Sequence, residues 1–365
     1  MRRGLQNLIL SLASVAFALG ASELGLRVLG FENPYTAALY PKAMHDGASP
    51  SGLRAGFVGS FPHSEIHGRI AINSKGLRDV EHSYERAGGP RILALGDSFS
   101  FGHGVELQES YLALLEQELR RAHSPRTEIV KAGAPGTDPA TYLRFYGSEG
   151  WKYRPDLVLV SVFVGNDLLV RRQPGPAGAS PSSRRRVGSF KTFLRNNSVF
   201  YAVVVDRLKS VPAIRGLLNR TGIAHGVIGE EVILVLKKEY DAHERRRFEE
   251  TLSLLDQLRS AVPAIALVII PTREQVDAVR LGVALRVVGF SRDQVDPELP
   301  NRRLREFCAA RGIPCIDLLQ AFRARHASVP MYGEVDAHFS LAGNAAAAQE
   351  VARGLEPLLA SLELR

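Results

Sequence analysis

Arg91-Ile-Leu-Ala-Leu95 runs directly into Gly96-Asp97-Ser98. A short apolar run without polar alternation reads as a strand covered on both faces, and Gly-Asp-Ser reads as the turn leaving its carboxyl end. The same pattern recurs along the chain. Glu109 to Ala122, with leucines at 112, 115 and 119, reads as a helix, and Glu128 to Lys131 as the next strand. Pro139 to Gly147 is helix-like, and Leu157 to Val164 is a strand with no polar alternation. A charged helix from about Lys237 to Arg259 precedes the strand Ala264 to Ile270. Asn301 to Arg311 precedes the strand Ile313 to Asp317, and Leu341 to about Leu362 closes the chain as a helix with Ser340 as its N-cap. Five strands alternating with helices predict a flavodoxin-like three-layer α/β/α fold around a five-stranded parallel sheet.

The remaining sequence divides around this core. Residues 1–23 form one segment, 24–88 an approach segment containing the turn-like Asn73 to Asp79, and 89–365 the main domain. The rhythm breaks at about 171–230. There the Pro/Gly/Ser/Arg-rich stretch 171–186 reads as a solvated loop, and Phe193 to Leu218 as a helix, a candidate lid. At the start, Arg2 and Arg3 precede nineteen uncharged residues, Gly4 to Ser22. That pattern predicts a single-pass inner-membrane helix with the domain facing the periplasm or cell exterior. The competing reading is a signal peptide cleaved after Ala18-Leu-Gly20.

Of the 365 residues, 45% are hydrophobic and 23% charged, as in ordinary globular proteins. The net charge of +8 comes mostly from arginines scattered over helices and one loop, so nucleic acid is not expected as a partner. Cys308 and Cys315 are too few for a disulfide framework and lack metal-ligand spacing. They read as buried thiols, one helical and one in a strand.

In an open parallel sheet, ligands sit beyond the carboxyl ends of the strands. Ser98 follows the first strand, Gly133-Ala-Pro-Gly136 the second, Gly165-Asn166-Asp167 the third, and Asp336-Ala-His338 lies after the fifth. A serine hydroxyl becomes a useful nucleophile when an imidazole takes its proton and a carboxylate orients that imidazole. Acyl transfer then develops an oxyanion that needs fixed hydrogen-bond donors. Ser98, His338 and Asp336 supply the first set, and the Ser98 N–H, Gly136 and Asn166 the second. In an extended segment, Asp336 and His338 would point the same way. His103, placed by the sequence in the turn after Ser98, is the one obvious extra histidine for a metal centre. No metal and no cofactor is expected.

These residues make the chain resemble the SGNH subfamily of the GDSL hydrolases over about residues 90–361. The subfamily's nucleophile falls on Ser98, its oxyanion glycine on Gly136, its oxyanion asparagine on Asn166, and its acid and base on Asp336 and His338. Three departures stand out. Phe99 replaces the leucine of the name block and reads as a packing change. Val164 replaces the first glycine of Gly-x-Asn-Asp and reads as a change in the pocket wall. Asp-x-His replaces Asp-x-x-His, a spacing similar to that in the SGNH-like domains of polysaccharide O-acetylation proteins. The wording Gly-Asp-Ser-Phe-Ser-Phe-Gly-His-Gly-Val and the segment from Asn73 to Asp79 look like a membrane-anchored bacterial branch. The resemblance implies an acyl ester substrate, such as an acetylated polysaccharide or a small ester, and an esterase or deacetylase. O-acetyl transfer with the same triad and a non-catalytic envelope-binding role are the alternatives.

Overall fold

The computed structural model describes residues 2–31, 40–61, 68–86, 88–169, a few positions between 194 and 204, 230–333 and 336–363. The chain divides into two compact units, one of Met1–Tyr40, Pro62–Glu65 and Pro174–His225, the other of Pro41–Phe61, Ile66–Gln173 and Gly226–Arg365. In the first, α1 spans Arg2–Val28. Its Glu23 accepts hydrogen bonds from the Ser198 hydroxyl (2.8 Å) and from the N–H groups of Val199 (2.9 Å) and Phe200 (2.8 Å). Among the described residues, no helix is long and apolar enough to cross a membrane, so the structure does not supply the spanning helix expected from the N-terminal pattern. The arginine-rich stretch 171–186 and most of the expected helix Phe193 to Leu218 lie outside the described residues.

The second unit carries the sheet. A small antiparallel pair, β1 (Val58–Ser60) and β2 (Arg69–Ala71), precedes it and was not foreseen from sequence. The main strands are β3 (Arg91–Gly96), β4 (Glu128–Gly133), β5 (Leu157–Phe163), β6 (Ile265–Ile270) and β7 (Cys315–Asp317), all parallel in the order β4-β3-β5-β6-β7. This is the expected five-stranded flavodoxin-like sheet. Alternate residues of each strand enter different cores. Leu93, Leu95, Val158, Val160, Leu267 and Ile269 belong to one, and Ile92, Ala94, Leu157, Leu159, Ala266 and Val268 to the other. Continuous apolar strands arise because helices cover both faces.

Side-chain caps start several of those helices. α2 (Ser98–Phe101) is capped by Asp97, α3 (Tyr111–Ala122) by Ser110 and α4 (Pro139–Ser148) by Asp138. α5 spans Glu230–Leu234, and α6 (Ala242–Ala261) opens on the Asp241/Glu244 capping box, several residues later than the charge pattern suggests. α7 (Arg273–Val276), α8 (Ala278–Val288), α9 (Leu299–Arg311) and α10 (Leu319–His326) follow, of which the sequence reading found only α9. In α11 (Leu341–Glu363), Ser340 Oγ accepts from the Gly343 N–H at 3.0 Å, as its N-cap assignment requires. Cys308 lies in α9 and Cys315 in β7, and both are free thiols.

The residues of the approach segment within this unit are more than a connection. Arg78 is 2% exposed. Its guanidinium donates to the carbonyls of Phe101 (3.0 Å), Gly102 (2.5 Å), Arg69 (2.7 Å) and Val105 (2.8 Å) and lies over the rings of Phe61 and Phe101. One buried cation thus fixes the path of the chain after α2. Replacing it with Met would leave several buried carbonyls without donors. Arg78→Met is expected to lower the unfolding free energy by on the order of 3 kcal/mol, measured from urea unfolding midpoints, and an unchanged midpoint would show that water replaces the guanidinium.

Candidate active site

The sheet order reverses at β3, whose neighbours are β4 and β5. Chains leave this point in opposite directions, opening a crevice at the carboxyl ends. Ser98 follows β3 there and Asn166 follows β5. Ser98 starts the short α2, packed so tightly on β4 that a Cβ on Gly133 would lie 2.3 Å from the Ser100 carbonyl carbon. Only glycine permits that approach. Beneath α2, the Tyr111 hydroxyl bonds the hydroxyls of Ser100 (2.8 Å) and Ser161 (2.5 Å), anchoring the turn to β5.

Ser98, His338 and Asp336 come together in space. His338 Nε2 lies 2.6 Å from Ser98 Oγ, and His338 Nδ1 lies 2.7 Å from Asp336 Oδ1. The segment holding Asp336 and His338 is a bend rather than the extended stretch expected. It is closed by the Gly333 N–H donating to the His338 carbonyl at 2.9 Å, while Arg273 donates to the Gly333 carbonyl at 3.2 Å. Burial would raise the Asp336 carboxyl. The charge of His338 and the hydrogen bonds from His103 and His338 outweigh that effect and hold it well below the usual carboxylate range.

His103 is the residue whose position the sequence misjudged. The turn reading gave it no partner, yet it is 2% exposed and its Nε2 lies 2.8 Å from Asp336 Oδ2. Its ring lies against that of His338, with centroids 4.1 Å apart and planes at 34°. The available signal was its place between two glycines five residues after the serine, which says nothing about a partner 233 positions away. His103, Asp336 and His338 offer nitrogen and oxygen atoms within 4.8 Å of one another, a set that could hold a divalent ion.

The other expected donors are placed less directly. Asn166 is exposed, and its Nδ2 donates to Asp97 Oδ2 at 3.3 Å, tying it to the residue before Ser98. An amide has two N–H bonds, so the second is left for a ligand. Gly136 is exposed with φ +70°, and its loop is fastened by Thr137 Oγ1 donating to the Gly96 and Ala134 carbonyls at 3.1 and 2.6 Å. Two further carboxyls lie under the site. Burial pushes both Asp97 and Asp167 upward, and each is fully buried. Asp167 accepts from the Tyr142 hydroxyl at 3.1 Å and the Phe163 N–H at 3.0 Å.

The departures in the motifs resolve differently. Phe99 is indeed a packing residue, its ring 4.8 Å from His338, 4.6 Å from Phe163 and 4.6 Å from Phe339. Val164, expected in the pocket wall, is instead wholly buried in the core. Its side chain takes the inward direction of the continuing strand.

Burial, reinforced by the charge of His338, lowers the His103 pKa from 6.5 to about 4. Between those values the unfolded chain binds a proton that the folded chain does not. Stability therefore falls as pH drops from 6.5 towards 4, and this contribution is level outside that window. Unfolding free energies of the wild type and His103→Gln, compared across pH 7 to 4, should show the wild type losing ground as acid is added. A constant difference would mean that His103 titrates as a solvated imidazole.

The family model described as GDSL-like Lipase/Acylhydrolase matches residues 94–346. No protein of curated function matches the chain. Similar solved structures include an alpha/beta hydrolase enzyme from the metagenome of Lake Arreo, Spain, at 14% identity over 75% of this chain and 97% of that one, with a TM-score of 0.38. An acetylxylan esterase from Geobacillus stearothermophilus has 14% identity, coverage of 75% and 96%, and a TM-score of 0.40. The lipase/acylhydrolase from Enterococcus faecalis has 14% identity, coverage of 74% and 96%, and a TM-score of 0.42. The family match spans well over half of the sequence and takes in both Ser98 and His338: the chain belongs to the GDSL-like lipase/acylhydrolase family, serine hydrolases of the SGNH type.

Proposed function

We propose that the protein is an esterase or deacetylase that cleaves an acyl ester, an acylated glycan or a small ester, outside the cytoplasm. The observation that carries the reading is the chain of short contacts from Ser98 Oγ to His338 Nε2 (2.6 Å) and from His338 Nδ1 to Asp336 (2.7 Å). Ser98 Oγ attacks the acyl carbonyl carbon while its proton passes to His338 Nε2. Asp336 accepts the Nδ1–H and stabilises the imidazolium. The carbonyl oxygen becomes an oxyanion, met by the Ser98 N–H, Gly136 and the Asn166 amide. Collapse breaks the ester C–O bond, and His338 returns the proton to the departing alkoxide. Water, deprotonated by the same nitrogen, then releases the acid and restores Ser98.

The exported location rests on Arg2 and Arg3 ahead of the uncharged Gly4 to Ser22, the pattern of an export signal or anchor. Protease added to intact spheroplasts should digest the catalytic unit, and protection would place it in the cytoplasm.

A fluorophosphonate probe should label the wild type and fail on Ser98→Ala, and His338→Ala should abolish release of acetate from acetylated substrates. Labelling that persists in Ser98→Ala would overturn the nucleophile, while acetylated acceptor in place of free acetate would move the reaction to transfer. Asn166→Ala should lower kcat about 100- to 1,000-fold, the loss typical of one oxyanion donor. An effect on KM alone would make Asn166 a ground-state contact.

A further inference from the structure

Each oxygen of Asp336 faces a different imidazole, Oδ1 lying 2.7 Å from His338 Nδ1 and Oδ2 lying 2.8 Å from His103 Nε2. We propose that His103 is a positioning residue, whose Nε2–H pins the Asp336 carboxylate so that Oδ1 faces His338 throughout the reaction. The inference rests on reading Ser98, His338 and Asp336 as the acyl-transfer machinery. It adds a second tier, an orienter for the orienting carboxylate.

Chemistry fixes the direction of the bond. A carboxylate only accepts, so the nitrogen facing Oδ2 must carry the hydrogen. Neutral imidazole has one N–H, and a His103 that holds Asp336 carries it on Nε2. The Arg78 guanidinium, the Asp336 carboxylate and His338 are the charged or titratable groups that act on it, and burial with His338 and Arg78 favours the neutral form. His103 therefore behaves as a fixed dipole and adds no competing positive charge against His338.

The scaffold around His103 is built to hold it still. Its N–H donates to the Ser98 carbonyl at 3.0 Å. Gly102 before it has φ +76°, and Arg78 donates to the carbonyls of Phe101, Gly102 and Val105 on either side. One face of the ring lies against His338, and the Phe61 ring packs edge-on at 4.9 Å. The Asp336 side chain, by contrast, is 25% exposed. With nothing bound to Oδ2, water would compete for that oxygen and the carboxylate could rotate away from Nδ1. Loss of the correct tautomer and orientation of a catalytic imidazole is costly even when the residue itself remains.

The test uses the full-length protein, p-nitrophenyl acetate and two substitutions. His103→Phe keeps a flat ring but removes the donor, and His103→Gln keeps an N–H near the position of Nε2. His103→Phe should lower kcat roughly 10- to 100-fold, as when partners that orient a functional group are removed, with KM within about twofold of wild type. His103→Gln should restore most of that loss. If circular dichroism shows His103→Phe unfolded, His103→Asn, too short to reach Oδ2, replaces it with the same expectation. Full kcat in His103→Phe, or a loss in His103→Gln as deep as in His103→Phe, would overturn the proposal. So would activity lost to a chelator and restored by zinc, since His103, Asp336 and His338 would then serve a metal. Ser98→Ala separates the two levels: activity surviving there defeats the proposed function itself, whereas an inactive Ser98→Ala beside a fully active His103→Phe defeats only the positioning role.

Discussion

In the sheet formed by β4, β3, β5, β6 and β7, successive side chains enter opposite apolar cores, so a central strand has no face on which a charged group can be solvated. Polar chemistry is displaced to the strand ends. The exceptions show how strict this is. Ser161, inside β5, is bonded to Tyr111, and Lys131, on the edge strand β4, is neutralised by Asp79 at 3.2 Å and Glu116 at 2.6 Å. Ser98, Asn166 and the Gly136 loop occupy the carboxyl ends because those are the places where polar groups meet both the sheet's rigidity and open crevice.

The carboxyls around the site are shifted in two opposite directions. At Asp336, desolvation is outweighed by the charge of His338 and by the contacts with His103 and His338, which hold the carboxyl well below the usual carboxylate range. Asp97 and Asp167 lie fully buried and are driven towards the protonated form by desolvation, and at Asp167 the nearby charge of Asp97 adds to the effect. The Asp97 oxygens cap α2 and hold the Asn166 amide. Like residue types thus serve opposite roles because their surroundings differ.

Arg78 links this chemistry to a part of the chain that seemed only connecting. Residues before the first strand of the main sheet supply the cation that fixes the carbonyls at 101, 102 and 105, and that loop carries His103 to Asp336. The turn holding Arg78 is itself set by Asn73, whose Oδ1 accepts from the Lys75 and Leu77 N–H groups and whose Nδ2 donates to the Val80 carbonyl. Damage to this segment reaches the site through one buried side chain.

Local sequence carried the strands, several of the flanking helices and the four polar motifs at the strand ends, because periodicity, capping and turn chemistry act within a few residues. It also singled out Ser98, Asp336 and His338, which the structure brings within hydrogen-bond distance of one another. It did not reveal β1 and β2, whose three-residue strands carry little pattern, or α2, α5, α7, α8 and α10. Val164 was misplaced because a motif position does not say which way a side chain faces. His103 and Arg78 were decided only by tertiary structure. An exposed turn histidine and a buried one beside Asp336 have the same neighbours in sequence, and only the packing of Phe61, His338 and the Arg78 guanidinium distinguishes them.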